Sequence, residues 1–225
     1  ERMSGRLRED IQYLNLVLDT SRNFDILCRM ITIGGKDACM YLMNGFCNDE
    51  LLQKLLEYLL GVKPSQMPSD PSELTKDFVP YAEVTMEDQW DMIINSLLSG
   101  VFVLMIDGYQ KAFFLDSRSY PARNVEEPDK DKVLRGAKDG FVETIVFNTA
   151  LIRRRIRSTD LCMEMFHAGE SSKTDIVLCY MDKRVDHAFL DSLRRRIDSI
   201  KVDALTMSEE SLAECLYKRK WYNPF

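Results

Sequence analysis

Residues 135–157 read RGAKDGFVETIVFNTALIRRRIR, and they hold the residue types with the longest chemical reach in this chain. Two glycines precede a helical run that closes on four arginines within five positions. A phosphate-cradling loop needs G-x-x-x-x-G-K-[ST], because backbone amides wrap phosphates while the lysine and hydroxyl engage phosphate and magnesium. Here Gly136 and Gly140 are four apart, and Phe141 follows where the lysine belongs. The dinucleotide pattern G-x-G-x-x-G is missing too, so nothing in this turn supports nucleotide binding.

Other catalytic groupings fare no better. Glu126 and Glu127 are adjacent in a stretch dense with charge, which reads as solvated linker rather than an acid–base pair. Of the two histidines, His167 and His187, neither sits in H-E-x-x-H or another metal spacing, and no G-x-S-x-G marks a nucleophile. The segment GESSKTD (169–175) could hold an anion through its amides and Lys173, although polar hairpin turns share this composition. Cys28, Cys39, Cys47, Cys162, Cys179 and Cys215 form no C-x-x-C pair, so they read as buried small hydrophobes suited to a reducing compartment. The expectation is a chain with no catalytic set, no metal and no cofactor.

The arginine-ended helix has a phase. Val142, Ile145, Val146, Thr149, Ile152 and Ile156 share one face at about 100° per residue. Arg154 and Arg155 point away from it, Arg157 lies at its flank, and Arg153 lies close to its edge. A charge near an apolar face is costly unless paired, so Arg153 needs a carboxylate, for which Glu126, Glu127 and Asp129 are the candidates. Arg154 and Arg155 suit contact with lipid head groups or an acidic partner. A separate candidate set, Arg123, Arg135 and Lys138, could meet a small anionic ligand in a cleft between two halves of the chain.

The elements that must position these residues follow from periodicity. Net charge of −6 over 225 residues argues against a general affinity for nucleic acid. Leu7, Ile11, Leu14 and Leu18 mark an amphipathic helix over 5–19. Residues 24–33 and 36–43 read as strands around Gly34-Gly35. Asn48 caps a leucine-striped helix over 49–60 that Gly61 can end, and the three prolines of 62–72 predict a loop. Thr85 with Asp88 resembles a capping box for the helix holding Trp90, Ile93, Ile94, Leu97 and Leu98. Strands VFVLMI and YQKAFFL flank Asp107-Gly108. Residues 161–167 and 174–181 predict a third hairpin, followed by a helix over 186–198 with Phe189, Leu190, Leu193 and Ile197 inward and Arg194–Arg196 mostly outward. A short strand near 200–205 and a helix near 209–217 complete the reading.

The charged, proline-containing segment 116–132 is the best linker candidate. The expected organisation is therefore two linked small α/β subdomains, 1–116 and 135–225, joined by 117–134, each a mixed sheet with helices packed on it. The longest charge-free stretch, 92–106, has 15 residues, short of the ~20 that cross a bilayer.

The block RSYPARNVEEPDKDKVLRGAKDGFVETIVFNTALIRRRIR (118–157) closely resembles the signature of the GerA/SpoVAF family of spore germination proteins. GESSKTDIVLCYMD and the final YNPF are similar to that family as well. The SYP, EEPD and SKTD blocks resemble the SpoVAF branch. Germinant-receptor A subunits, the alternative, more often carry proline where this chain has Ala137. The resemblance implies an N-terminal domain of a polytopic protein in the spore inner membrane, facing the cytosolic core, with a membrane region after residue 225. It implies an interaction and assembly role without catalysis, in an oligomeric channel-type complex with other germination subunits, and no nucleic-acid partner.

Overall fold

The computed structural model describes residues 1–77, 84–118 and 140–200, together with Leu212 and Leu216. The chain divides into two compact units, Glu1–Thr159 and Asp160–Phe225.

In the first unit, α1 spans Leu7–Leu18, with Leu7, Leu14 and Leu18 on its buried face. It opens against the buried carboxylate of Asp10, which accepts hydrogen bonds from the amides of Ser4 (2.9 Å) and Gly5 (3.0 Å). Strands β1 (Ile26–Ile33) and β2 (Lys36–Met43) form the expected hairpin. Both turn glycines, Gly34 and Gly35, have positive φ, as a two-residue turn of this hand requires. Asn48 caps α2 (Asp49–Gly61) by accepting from the Leu51 amide at 3.1 Å. The proline-rich segment is more ordered than composition predicts. It holds a single 3-10 turn at Pro64–Gln66 and a helix α3 (Pro71–Asp77). Pro71 occupies the first helical position, where its missing N–H costs nothing, and the Asp70 carboxylate receives the Ser72 amide.

Thr85 does not cap a helix. It lies in strand β3 (Val84–Glu87), and α4 begins at Trp90 and runs to Leu98. The Glu87 carboxylate instead takes the amides of Asp88 (2.8 Å) and Gln89 (3.0 Å), and these bonds hold its pKa below the ordinary glutamate value. Strands β4 (Phe102–Ile106) and β5 (Ala112–Leu115) then pair across a loop of residues 107–111.

The sheet order is β1-β2-β4-β5-β3. Every pairing among the described strands is antiparallel, where a mixed sheet was expected. The reason is topological. Strands β3 and β4 run the same way across the α4 connection, but β5 inserts between them, so the two never touch. Alternation along the strands gives the sheet two apolar faces. Cys39, Tyr41, Met43, Val103 and Met105 pack under α1 and α4. Ala38, Met40, Leu42, Leu104 and Phe113 pack under α2 and α3.

Helix α5 (Ile145–Arg155) belongs to this first unit. Sequence placed it at the start of the second subdomain, after a linker at 117–134. Its buried residues are Thr149, Ala150 and Arg153, and Ala150 joins the core beneath α1 and α4. Of the apolar stripe expected on it, Thr149 is buried, Val142, Ile145, Val146 and Ile152 are half-buried, and Ile156 is exposed.

The second unit is built on a hairpin, β6 (Leu161–Ala168) and β7 (Thr174–Met181), with α6 (His187–Asp198) following. Asp186 caps α6 through the amides of Ala188 and Phe189. Leu190 and Ile197 are buried as expected, but Phe189 is exposed. Arg194 also departs from its expected outward pose. It donates to Glu164 of β6 (Nε–Oε2 2.8 Å), and Tyr180 of β7 bonds the same carboxylate. Ala168, Ile176 and Ile197 form the small core, with the helical residues Leu212 and Leu216 packed against it. The rest of the strand near 200–205 and the helix near 209–217 lies outside the described residues, as does 119–139 of the linker region.

Candidate functional site

Among the described residues, a tightly constrained polar cluster surrounds Arg153. Its side chain is 1% exposed and that of Asp25 is 2% exposed. The guanidinium is bidentate on Asp25, Nε to Oδ2 at 2.8 Å and Nη2 to Oδ1 at 3.2 Å. It also donates to the Ser158 carbonyl (3.0 Å) and approaches the Asn23 side-chain oxygen (3.4 Å). Asn23 turns its amide nitrogen to the carbonyls of Leu18 (2.9 Å) and Asp19 (3.3 Å) at the C-terminal end of α1. One cation thus joins the end of α1, the entry to β1, α5 and the chain leaving α5.

A carboxylate for Arg153 was expected, from Glu126, Glu127 or Asp129. The acid seen here is Asp25, and those three lie outside the described residues. Arg154 and Arg155 are exposed, as the helical wheel indicated. Arg123, Arg135 and Lys138 also fall outside the described residues.

Beside this cluster lies an open cleft of about 960 Å³. Its walls come from β1 (Leu27, Arg29), α2 (Leu52, Leu56) and the start of α5 (Val146, Phe147). Gly45 makes the close approach of α5 possible. Its φ is +82°, and a Cβ there would come within 3.2 Å of both Val146 Cγ1 and Ala150 Cβ. The floor is mostly apolar, with Arg29, Asp49 and Glu50 as its charged groups. Such a surface suits docking of a chain segment better than bond making, which needs a poised acid, base or nucleophile aimed at a substrate.

Two cysteines depart from the expectation of burial. Cys28 on β1 and Cys179 on β7 are exposed. Cys28 lies with its sulfur 3.3 Å from that of buried Cys39. The hydrogen bond from Cys39, with a smaller one from Tyr41, holds the Cys28 thiol down at about 6 against the opposing effect of burial. The same pairing pushes Cys39 up, and burial pushes Tyr41 up. Composition could not show this pair, since the two cysteines are separated by a turn and meet only through the hairpin register. Among the described residues, no three His, Cys, Asp or Glu side chains gather as metal ligands would, and no helix is long and apolar enough to cross a membrane.

The family model described as Bacillus/Clostridium GerA spore germination protein matches residues 12–225. The chain belongs to the GerA spore germination protein family. Stage V sporulation protein AF of Bacillus subtilis (strain 168) is 37% identical over 95% of this chain and 43% of its own length. The membrane protein YfkQ of the same organism is 30% identical over 99% of this chain, again with 43% of its own length matched. Spore germination protein KA, also from that strain, is 26% identical over 82% of this chain. This GerA-family chain therefore spans less than half the length of those relatives. Among solved structures, the N-terminal domain of the A subunit of the Bacillus megaterium spore germinant receptor GerK3 shares its fold. The TM-score is 0.71 at 23% identity, over 98% of this chain and 83% of that one. The resemblance read at 118–157 and the α/β class both hold.

Proposed function

We propose that this chain is the N-terminal interaction and assembly portion of a membrane spore germination protein of the stage V sporulation protein AF type, with no catalysis of its own. The observation that carries the reading is the match to only 43% of that relative's length by a chain folded like a germinant-receptor N-terminal domain. The remaining length of such a protein would hold the membrane body, in the spore inner membrane, with this portion on the core side. The open apolar cleft and the exposed arginines of α5 support a docking role, toward other subunits or a second copy. The higher identity to stage V sporulation protein AF than to spore germination protein KA supports that branch over a receptor A subunit.

The test uses the full-length protein in a spore former that lacks its own copy. Extracted in detergent, it should run as an assembly larger than one chain. Removing the portion homologous to residues 1–225 should abolish that assembly and slow small-molecule release from germinating spores, with immunoblots confirming membrane insertion. A monomeric full-length protein, or release unchanged by the deletion, overturns the reading.

A further inference from the structure

We infer that Cys28 and Cys39 form a thiol–disulfide exchange site that takes a low-molecular-weight disulfide at Cys28 and resolves it with Cys39. The geometry comes from the β1–β2 register, in which Cys28 opposes Tyr41 and Met30 opposes Cys39. The two cysteines are therefore diagonal neighbours on the same sheet face, and their sulfurs stand 3.3 Å apart. Their environments differ. Cys28 is exposed on an edge strand, whereas Cys39 is wholly buried. The Tyr41 hydroxyl lies with them, held by its own hydrogen bond to Asn15 of α1 at 2.8 Å. An exposed nucleophile backed by a shielded second thiol is the arrangement that exchange requires, because the first sulfur must meet the reagent and the second must meet only the first.

The exchange balances in two steps. The Cys28 thiolate, its proton lost to water, attacks one sulfur of a disulfide RSSR. One S–S bond forms at Cys28 while the S–S bond of the reagent breaks, and the departing RS⁻ takes up a proton. Cys39 then attacks the Cys28 sulfur, the mixed disulfide breaks, and the second RS⁻ leaves with the Cys39 proton. The protein dithiol is oxidised to an intrachain disulfide, and RSSR is reduced to two RSH. The lowered Cys28 thiol, at about 6, keeps the attacking group ionised near neutral pH. The product ties the edge strand to its neighbour across a diagonal.

The experiment treats the full chain with excess oxidised glutathione, alkylates the remaining thiols and maps peptides by mass. The wild type should yield a Cys28–Cys39 linked peptide, and Cys39→Ala should accumulate glutathione on Cys28. The first step at pH 6 should run about tenfold faster than at the same cysteine in the denatured chain, a lead that disappears by about pH 8, where an ordinary thiol also ionises. Cys28→Ser, a change on the exposed strand, should abolish both products and decides the matter if Cys39→Ala fails to fold. Wild type that keeps glutathione on Cys28 with Cys39 alkylated overturns the inference. So does a folded-state rate at pH 6 no greater than the denatured one.

Discussion

A guanidinium out of reach of water is stable only while its partners stay in place. Arg153 has two N–H groups on one carboxylate and a third on a carbonyl, so removing it leaves Asp25 as a buried charge without its fork. Losing one partner of such a pair typically costs about 3–5 kcal/mol. Arg153→Ala should therefore lower the melting temperature of the first unit by about 8–15 °C. Arg154→Ala, at an exposed position next to it, should stay within about 0.5 kcal/mol. Equal melting temperatures for the two variants, measured by circular dichroism, would show that α5 is not seated as described. That Arg153 needs a carboxylate was legible from the helical wheel alone. Which carboxylate was not: Asp25 lies 128 positions away, and no local pattern links FDIL to RRR. The cysteine pair was hidden for a related reason, since it is made by register rather than by spacing.

At the scale of elements, local rules worked where one force dominated. The leucine spacing of α1, the paired glycines between β1 and β2, and the Asn48 cap each point to one structure without help from the rest of the chain. They failed where two signals overlapped. Thr85 and Asp88 have capping-box chemistry, yet pairing with Phe114 across the sheet takes Thr85 into a strand. Phe189 fits a helical stripe, yet in the first turn beside the Asp186 cap it is exposed. The apolar stripe of α5 is only partly buried, whereas Arg153 at its edge is fully buried on Asp25. What permits that seat is Gly45, and this gives a second prediction. Gly45→Ala adds a methyl in contact with Val146 and Ala150 at a positive φ, a combination that costs about 1–3 kcal/mol. Hydrogen exchange should speed up in α5 amides by a larger factor than in β4, which lies in the middle of the sheet. Equal exchange in both elements would mean that α5 does not depend on this contact.

At the scale of the whole chain, composition and contact disagree about where the first unit ends. Charge and proline content single out 116–132 as a break, and a boundary there is what any reading of solubility patterns gives. The compact unit nevertheless runs to Thr159, because a helix far along the chain supplies the cation that Asp25 requires and an alanine to the core under α1 and α4. Apolar periodicity cannot report such a return, since the tie rests on an ion pair and one small core residue rather than on a stripe. The disagreement can be put to the test by truncation. A chain ending at Thr159 keeps Arg153 and the Ser158 carbonyl, so it should unfold in one cooperative transition. A chain ending at residue 134 keeps every strand of the five-stranded sheet but leaves Asp25 buried without its guanidinium. It should be less stable by about 3–5 kcal/mol, and Asp25→Asn should restore part of that loss by removing the stranded charge. Urea melts of the three chains decide it. If the shorter chain matches the longer in midpoint and slope, α5 is a passenger on the first unit, and the boundary belongs in the charged segment after all.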